Sequence, residues 1–370
     1  MKIAYLTHSL DSCWNHGNAH FLRGVLSELV ARGHAVEIFE PADSWSRSNL
    51  IADHGEAGLT AFRAAYPELH STRYTAIEQV ADRAADADCV IVHEWNAPVV
   101  VAALGRMRAR GGKFVLLFHD THHRAISDPQ AMRAYDLSGY DGVLAFGGAL
   151  AAVYRGWGWG DRVWTWHEAA DLRRFAPPPV DYERRGLVWI GNWGDGERSA
   201  ELGAFLLRPA AANDSPPDIY GVRYPADALA TLRRYGARYR GWAPNADAPA
   251  IFARHCATVH VPRRHYVEQL AGIPTIRMFE ALACGTPLVS APWDDCEGLF
   301  RTGTDYLVAA DEAEMRDHLH DLLHDGALRA SLAAHGLETI LARHSCAHRV
   351  DELLDILSDL AAPGIGSKAA

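Results

Sequence analysis

IAYLTHSLDSCWNHGNAHFLRGVLSELVARGHAVEIF, residues 3–39, decides the fold. Ile3-Ala4-Tyr5-Leu6 is a short apolar run, followed by a polar loop through Asp11, Asn15, Gly17 and Asn18. Phe21, Leu22, Val25, Leu26 and Leu29 then recur at the spacing of one helix face, and Gly33 supplies the stop. Val36 to Phe39 is the next strand. The same beat continues through Cys89-Val90-Ile91-Val92, a helix ending near Arg110, Phe114 to Phe118, and Gly142-Val143-Leu144-Ala145. Strands alternating with helices predict a parallel sheet with helices on both faces.

Between Asp171 and Arg185 the pattern stops, and Pro177-Pro178-Pro179 with flanking charges reads as a linker. A second series follows: Leu187 to Ile190, a helix from about Ser199, Ile219-Tyr220, Thr258 to Val261, and Pro287 to Ser290. The expected fold is therefore α/β, with two tandem Rossmann-like doubly wound domains facing across a cleft. We expect an N-terminal domain over 1–170, a linker over 171–185 and a C-terminal domain over 186–345. Val350, Leu353, Leu354, Leu357 and Leu360 predict an amphipathic helix over 346–362 that packs back on the N-terminal domain. The final Gly366 to Ala370 reads as a loose tail.

Composition fits this division. The 370 residues exceed one comfortable core. A net charge of −10 argues against a phosphate-backbone footprint, hence against nucleic acid as a partner. Only Lys2, Lys113 and Lys368 are lysines, so the basic residues are almost all arginine, the side chain suited to bidentate anion contacts. Six scattered cysteines without a C-x-x-C pair fit a reducing cytoplasm. No apolar run is long enough for a membrane-spanning helix. Oligomeric state is left open.

In open parallel sheets, ligands gather at the carboxyl ends of the strands. There the first domain offers Thr7-His8-Ser9, His93-Glu94-Trp95-Asn96 and His119-Asp120-Thr121. The second offers Gly191-Asn192-Trp193-Gly194-Asp195, Gly241-Trp242 and Pro262-Arg263-Arg264-His265. Rims so rich in His, Arg, Trp and short acids fit a polar, partly anionic ligand.

Gly272 to Val289 is the most informative segment. Pro274 suits a first helical turn and Gly285 a C-terminal stop, and free amides at the start of this helix would hold a phosphate. Ile276, Met278, Phe279, Leu282 and Ala283 form one apolar arc, with Glu280 beside it and Arg277 further round. Spacing alone leaves two readings: an exposed Arg277–Glu280 pair of little consequence, or a carboxylate that reaches two hydroxyls of a sugar ring. Metal signals are poor. His16/His20, His320/His324 and His344/His348 lack the Glu of H-E-x-x-H, and Asp86-Ala87-Asp88 precedes its strand, at the wrong end of the sheet. Gly156 to Gly160 is glycine-rich but does not lead a strand into a helix.

Arg277 to Pro287, with Gly241-Trp242, the run from Ala250 to Pro262 and the approach Asp171 to Phe175, resembles the GT-B glycosyltransferases. The resemblance is to family-4-type enzymes and to the spore-maturation-protein-like (CgeB-like) group, with its R-x-F-E-A-L-A-x-G-T-P signature. It implies that Glu280 binds the ribose of a nucleotide sugar, with UDP the expected nucleotide. It also implies basic residues on the leaving diphosphate, here Arg198, with Arg263, Arg264 and Arg277 in reserve. Gly17 and Asn18 match the family's first-domain glycine loop, Trp242 would flank the base, and His119 matches a histidine near the transferred sugar, with Asp120 to orient it. One position departs: the acid that retaining members carry eight residues before the motif Glu is Gly272 here. Either Glu268 substitutes, or backbone amides from Gly272 to Thr275 contact the sugar and phosphate.

The reading is a metal-independent, retaining glycosyltransferase with no cofactor beyond its nucleotide-sugar co-substrate. Donor contacts are assigned to Gly17, Asn18, Asn192, Arg198, Trp242, Arg263, Pro274, Thr275, Arg277 and Glu280. The catalytic candidates are His119, Asp120 and Glu94, and acceptor contacts fall to His8 and His93. An epimerase of the same fold and a non-catalytic nucleotide-sugar-binding or assembly protein are the alternatives.

Overall fold

The structure is a computed structural model that describes residues 1–179 and 183–361. The middle of the expected linker, the last residue of the expected C-terminal helix and the tail lie outside the described residues. The chain forms two compact units: Met1–Glu168 with the segment from Cys346 onward, and Ala169–Ser345.

The first unit is built on seven parallel strands: β1 (Lys2–Leu6), β2 (Ala35–Pro41), β3 (Ser71–Tyr74), β4 (Cys89–His93), β5 (Val115–Asp120), β6 (Gly142–Ala145) and β7 (Val163–Thr165). Their order is β3-β2-β1-β4-β5-β6-β7, so the winding direction reverses between β1 and β4. Every residue of β4 is buried, as expected for a central strand covered on both faces. The helix Ala19–Ala31 turns Leu22, Val25, Leu26 and Leu29 inward and ends against Gly33, whose φ of +81° a side chain would resist. The helix Cys346–Ala361 belongs to this unit. It buries Val350, Leu353 and Leu357, Arg32 pairs with its Asp351, and the Trp166 indole donates to the Arg349 carbonyl at 2.8 Å.

The second unit has six parallel strands: β8 (Leu187–Ile190), β9 (Asp218–Tyr220), β10 (Arg238–Gly241), β11 (Ala257–His260), β12 (Leu288–Ser290) and β13 (Leu307–Val308). The order β10-β9-β8-β11-β12-β13 places its reversal between β8 and β11. Trp189, Ile219, Val259 and Val289 from the sheet meet Leu202, Leu206, Met315 and Leu319 from the helices in one core. Each such side chain contributes about 1.5–3 kcal/mol by leaving water.

Three strands carried no signal strong enough to read. β3 is polar (Ser-Thr-Arg-Tyr), β7 follows the Gly-Trp run, and β13 has two residues; all three are edge strands. Two boundaries also move. β5 runs through His119 and Asp120, which therefore lie in the strand and not in the loop beyond it. The helix after Pro274 starts only at Ile276, because Thr275 is its N-cap with extended backbone (ψ 156°), so Pro274 stands outside the first turn.

Candidate functional site

In the second unit the polar groups collect where β8 and β11 end, at the reversal of strand order. The loop after β8 turns sharply: Gly194, Asp195 and Gly196 have φ of +92°, +51° and +84°. This folds the chain over Arg198 so tightly that a Cβ on Gly194 would stand 2.5 Å from Arg198 Cγ. Arg198 is buried and donates through Nη2 to Asn192 Oδ1 (2.7 Å) and the Asn192 carbonyl (3.0 Å), and through Nη1 to the Val261 carbonyl (3.3 Å). Its guanidinium lies 5.1 Å from the Trp189 ring centroid. Arg263 pairs with Glu197 and donates to Gly194 O and Asn192 Oδ1, both at 3.3 Å. Burial pulls the Arg198 pKa down to about 9, and the charges of Arg263 and Arg277 push the same way. Among the described residues no carboxylate lies within 4.0 Å of Arg198. Arg263 is matched by Glu197 and Arg277 by Glu280, so the buried Arg198 is the guanidinium here that lacks an anion.

The helix Ile276–Ala283 carries Glu280 into the interior. Its seat is fixed by Gly336 of the helix Gly326–Arg343, where an added Cβ would meet Leu282 Cδ2 at 2.8 Å. Glu280 is fully buried, which excludes the exposed-pair reading. One carboxylate oxygen accepts from Asn245 Nδ2 at 2.9 Å and the other pairs with Arg277. Asn245, a few residues beyond the half-buried Trp242, had no motif to announce it. In the first turn of this helix the Met278 amide is taken by the Thr275 carbonyl (3.1 Å), while the Ile276 and Arg277 amides precede the intrahelical ladder. The Gly272 amide, in contrast, is engaged by the Asp294 carbonyl (3.0 Å) and is not available to a ligand.

Gly272 also explains the missing acid. Its φ is +85°, and a Cβ there would meet Cys296 Sγ at 2.8 Å, Glu297 Cγ at 2.9 Å and Glu297 Oε1 at 3.2 Å. A side chain at this position would be strained and would have to displace Cys296 or Glu297, and the carboxylate standing over it belongs to Glu297. Glu268 is exposed at the end of the short helix Arg264–Glu268.

In the first unit the reversal between β1 and β4 gathers histidines. The His8 ring lies 4.1 Å from that of His16 and 5.8 Å from that of His93. Burial lowers the pKa of both His8 and His93 to about 3, so both are neutral. Glu94 is fully buried; it accepts from Thr121 Oγ1 at 3.2 Å and lies 3.0 Å from His93 Nδ1. Thr121 also meets His93 Nε2 (3.1 Å) and receives the Asn18 amide, tying the exposed Gly17 loop to the end of β5. Arg124 donates to the Glu94 carbonyl at 2.7 Å. Thr121 was read only as part of a strand-end run and given no role, and Arg124 and Tyr154 are candidate site residues that sequence reasoning missed, since neither belongs to a motif.

His119 and Asp120 separate. Neighbouring residues of a strand point to opposite faces, so Asp120 does not orient His119 as expected. His119 Nδ1 instead meets the Tyr5 hydroxyl at 2.6 Å, its ring packs on Trp166 (4.8 Å) and Phe21 (6.0 Å), and burial keeps it neutral. Asp120 accepts from the Tyr154 hydroxyl (2.7 Å) and the His122 amide (3.0 Å).

Burial raises Glu94 to about 8 and Asp120 to about 7, with the Glu94 charge adding to the latter. A carboxyl with a raised folded pKa holds its proton better folded than unfolded, so its stabilising effect is full below pH 4 and fades as pH climbs toward 8. Denaturant unfolding from pH 5 to 9 should therefore show falling stability, with a shallower slope in Glu94→Gln. An identical slope in that variant would remove Glu94 from the account.

Residues 198–355 match a family model described as glycosyl transferase-like. No curated protein matches the chain. Among solved structures, Anabaena Alr3699/HepE in complex with UDP and glucose superposes with a TM-score of 0.69 at 14% identity, covering 97% of this chain and 99% of that one. An alpha-glucosyltransferase in complex with UDP and a 13-mer DNA gives 0.68 at 12% identity, with 97% and 99% covered. Sucrose-phosphate synthase from Thermosynechococcus elongatus gives 0.66 at 14%, with 98% and 100% covered. At such identities the likeness shows the fold, two parallel Rossmann-like sheets of the GT-B kind. Among the described residues no helix is long and apolar enough to cross a membrane.

Proposed function

We propose that this chain, a glycosyltransferase of the GT-B fold, moves a glycosyl group from a UDP-sugar bound on its second unit to an acceptor hydroxyl presented by its first. The observation that carries the reading is the buried Glu280, seated with Asn245 and Arg277, whose charge acts on the buried Arg198, a guanidinium with no carboxylate partner among the described residues. Glu280 would accept from the ribose hydroxyls. The diphosphate would lie on the three arginines and the amides around Thr275, with Trp242 beside the base. UDP rests on the UDP complexes among the similar structures. The Arg277-to-Pro287 signature favours the CgeB-like group.

As the bond from the anomeric carbon to the leaving oxygen breaks, negative charge grows on the diphosphate. Fixed guanidinium groups stabilise that charge without reorganising. We favour retention, in which a leaving phosphate oxygen takes the acceptor proton. An inverting route would use Glu94 as general base; with a pKa raised to about 8 it is a strong base once ionised but mostly protonated at neutral pH, so that route should speed up as pH rises toward 8. The configuration of the product, read by NMR, separates the two.

Thermal unfolding in UDP, GDP, ADP, dTDP and CDP, each with and without EDTA, tests the donor site. UDP at a hundred times its Kd should add about 2.7 kcal/mol, unaffected by EDTA. No response to any nucleotide would refute the reading. UDP binding followed by conversion of a UDP-sugar without acceptor would favour an epimerase.

A further inference from the structure

Two tryptophans on the first unit's rim remain outside this account. Trp95 follows Glu94 at the end of β4 and is 41% exposed. The Arg124 guanidinium covers it at 3.9 Å from the ring centroid, the His122 ring meets it at 5.1 Å and 73°, and His8 lies 6.3 Å away. Trp45 opens the helix Trp45–His54 beyond β2 and is 51% exposed. It packs on Trp14 (5.1 Å, 75°), whose indole N–H is fixed by Asp53 at 2.8 Å. Both indoles are thus pinned and still open to water. They follow strands two places apart, on either side of β1, which by strand spacing is about 10 Å.

Polar groups share this end of the sheet: His8 is 6.3 Å from Trp95, and Arg47, two residues after Trp45, carries Asp11. Asp11 is buried between Arg47 (3.2 Å) and Arg73 (2.7 Å), and His8 Nδ1 is buried with no hydrogen-bond partner among the described residues. A ligand here needs flat apolar faces edged by hydroxyls, in more than one ring. A sugar ring has that character. A nucleic acid fits worse, since Arg47 and Arg73 are already matched by Asp11 and the chain carries −10 overall.

We infer that the acceptor is an oligosaccharide whose sugar rings stack on the exposed indoles of Trp95 and Trp45. This rests on the reading of the first unit as the acceptor side.

The test is saturation-transfer NMR with methyl β-D-glucopyranoside, cellobiose, maltose and a short single-stranded oligonucleotide, on wild type, Trp95→Ala, Trp95→Phe and Trp45→Ala. At least one disaccharide should bind, about tenfold more weakly to Trp95→Ala, while Trp95→Phe keeps most of the affinity. Trp45→Ala should weaken the disaccharide more than the monosaccharide. Bound disaccharide should also protect Trp95 of the wild type from N-bromosuccinimide oxidation, mapped by mass spectrometry, a measurement that needs no variant to fold. Lack of binding by every sugar, equal binding by Trp95→Ala, an unprotected Trp95, or displacement of the sugar by the oligonucleotide would each overturn the inference. The UDP response is separate: sugar binding without UDP binding overturns the transferase reading and leaves the platform standing, and the converse removes the platform alone.

Discussion

Glu280→Gln is expected to weaken UDP binding about a hundredfold, equivalent to ~2.7 kcal/mol, with little loss of fold. Glutamine keeps the shape and one acceptor oxygen, so Asn245 stays satisfied. It loses the charge that holds Arg277 and that, on the proposed reading, would strengthen a hydrogen bond from a ribose hydroxyl, an effect worth about 1.5–3 kcal/mol. Glu280→Ala is the cruder probe, because it leaves the Asn245 amide and the Arg277 guanidinium without their acceptor in a buried place and costs about 1–3 kcal/mol of stability itself. Calorimetric titration of UDP against uracil separates the roles: the base alone should bind both proteins equally. Unchanged UDP affinity in Glu280→Gln would remove the ribose assignment, and with it the main support for the donor site.

The tandem architecture was legible because its signals are short-range. β1, β4, β5 and β8 are continuous apolar runs set apart by polar loops, and the helix Ala19–Ala31 repeats its apolar residues at helical spacing. Edge strands such as β3 escape that logic, since an edge needs neither length nor apolarity. The site was legible only where a motif named a residue. A motif singled out Glu280 as a candidate, but its burial was not foreseen, because helical phase alone placed it at the border of the apolar arc. Asn245 and Thr121 act through contacts with residues far along the chain, and no local pattern records such contacts. The expected Asp120–His119 pairing failed on the most elementary strand property, the alternation of side chains. The empty position at Gly272 could be noticed in the sequence, but its cause, a left-handed backbone packed under Glu297, is visible only in three dimensions.

Arg198→Met should lower kcat by about a hundredfold to a thousandfold while leaving stability within about 2 kcal/mol of the parent. Two effects on the fold oppose each other. Methionine fills the aliphatic space beneath the Gly194 loop, but the Asn192 and Val261 carbonyls lose their donor. Against that, a guanidinium whose pKa burial has drawn down to about 9 is a charge the folded state holds at a cost, and methionine removes it. The sign follows from linkage: a base with a lowered folded pKa penalises folding fully below that value, and the penalty fades only as pH rises toward the ordinary arginine range. At neutral pH the whole penalty is present, so the fold gains nothing from this charge. On the proposed reading a departing diphosphate would gain much, for it would meet a guanidinium already desolvated and already held by Asn192. Arg198→Lys should recover little, since one ammonium does not reproduce the fork that holds Asn192 and Val261 together. Single-turnover rates at saturating donor, set beside denaturant unfolding of the same proteins, decide the point. A kcat within a few-fold of the parent, whatever the stability, would return Arg198 to a purely architectural role between β8 and β11.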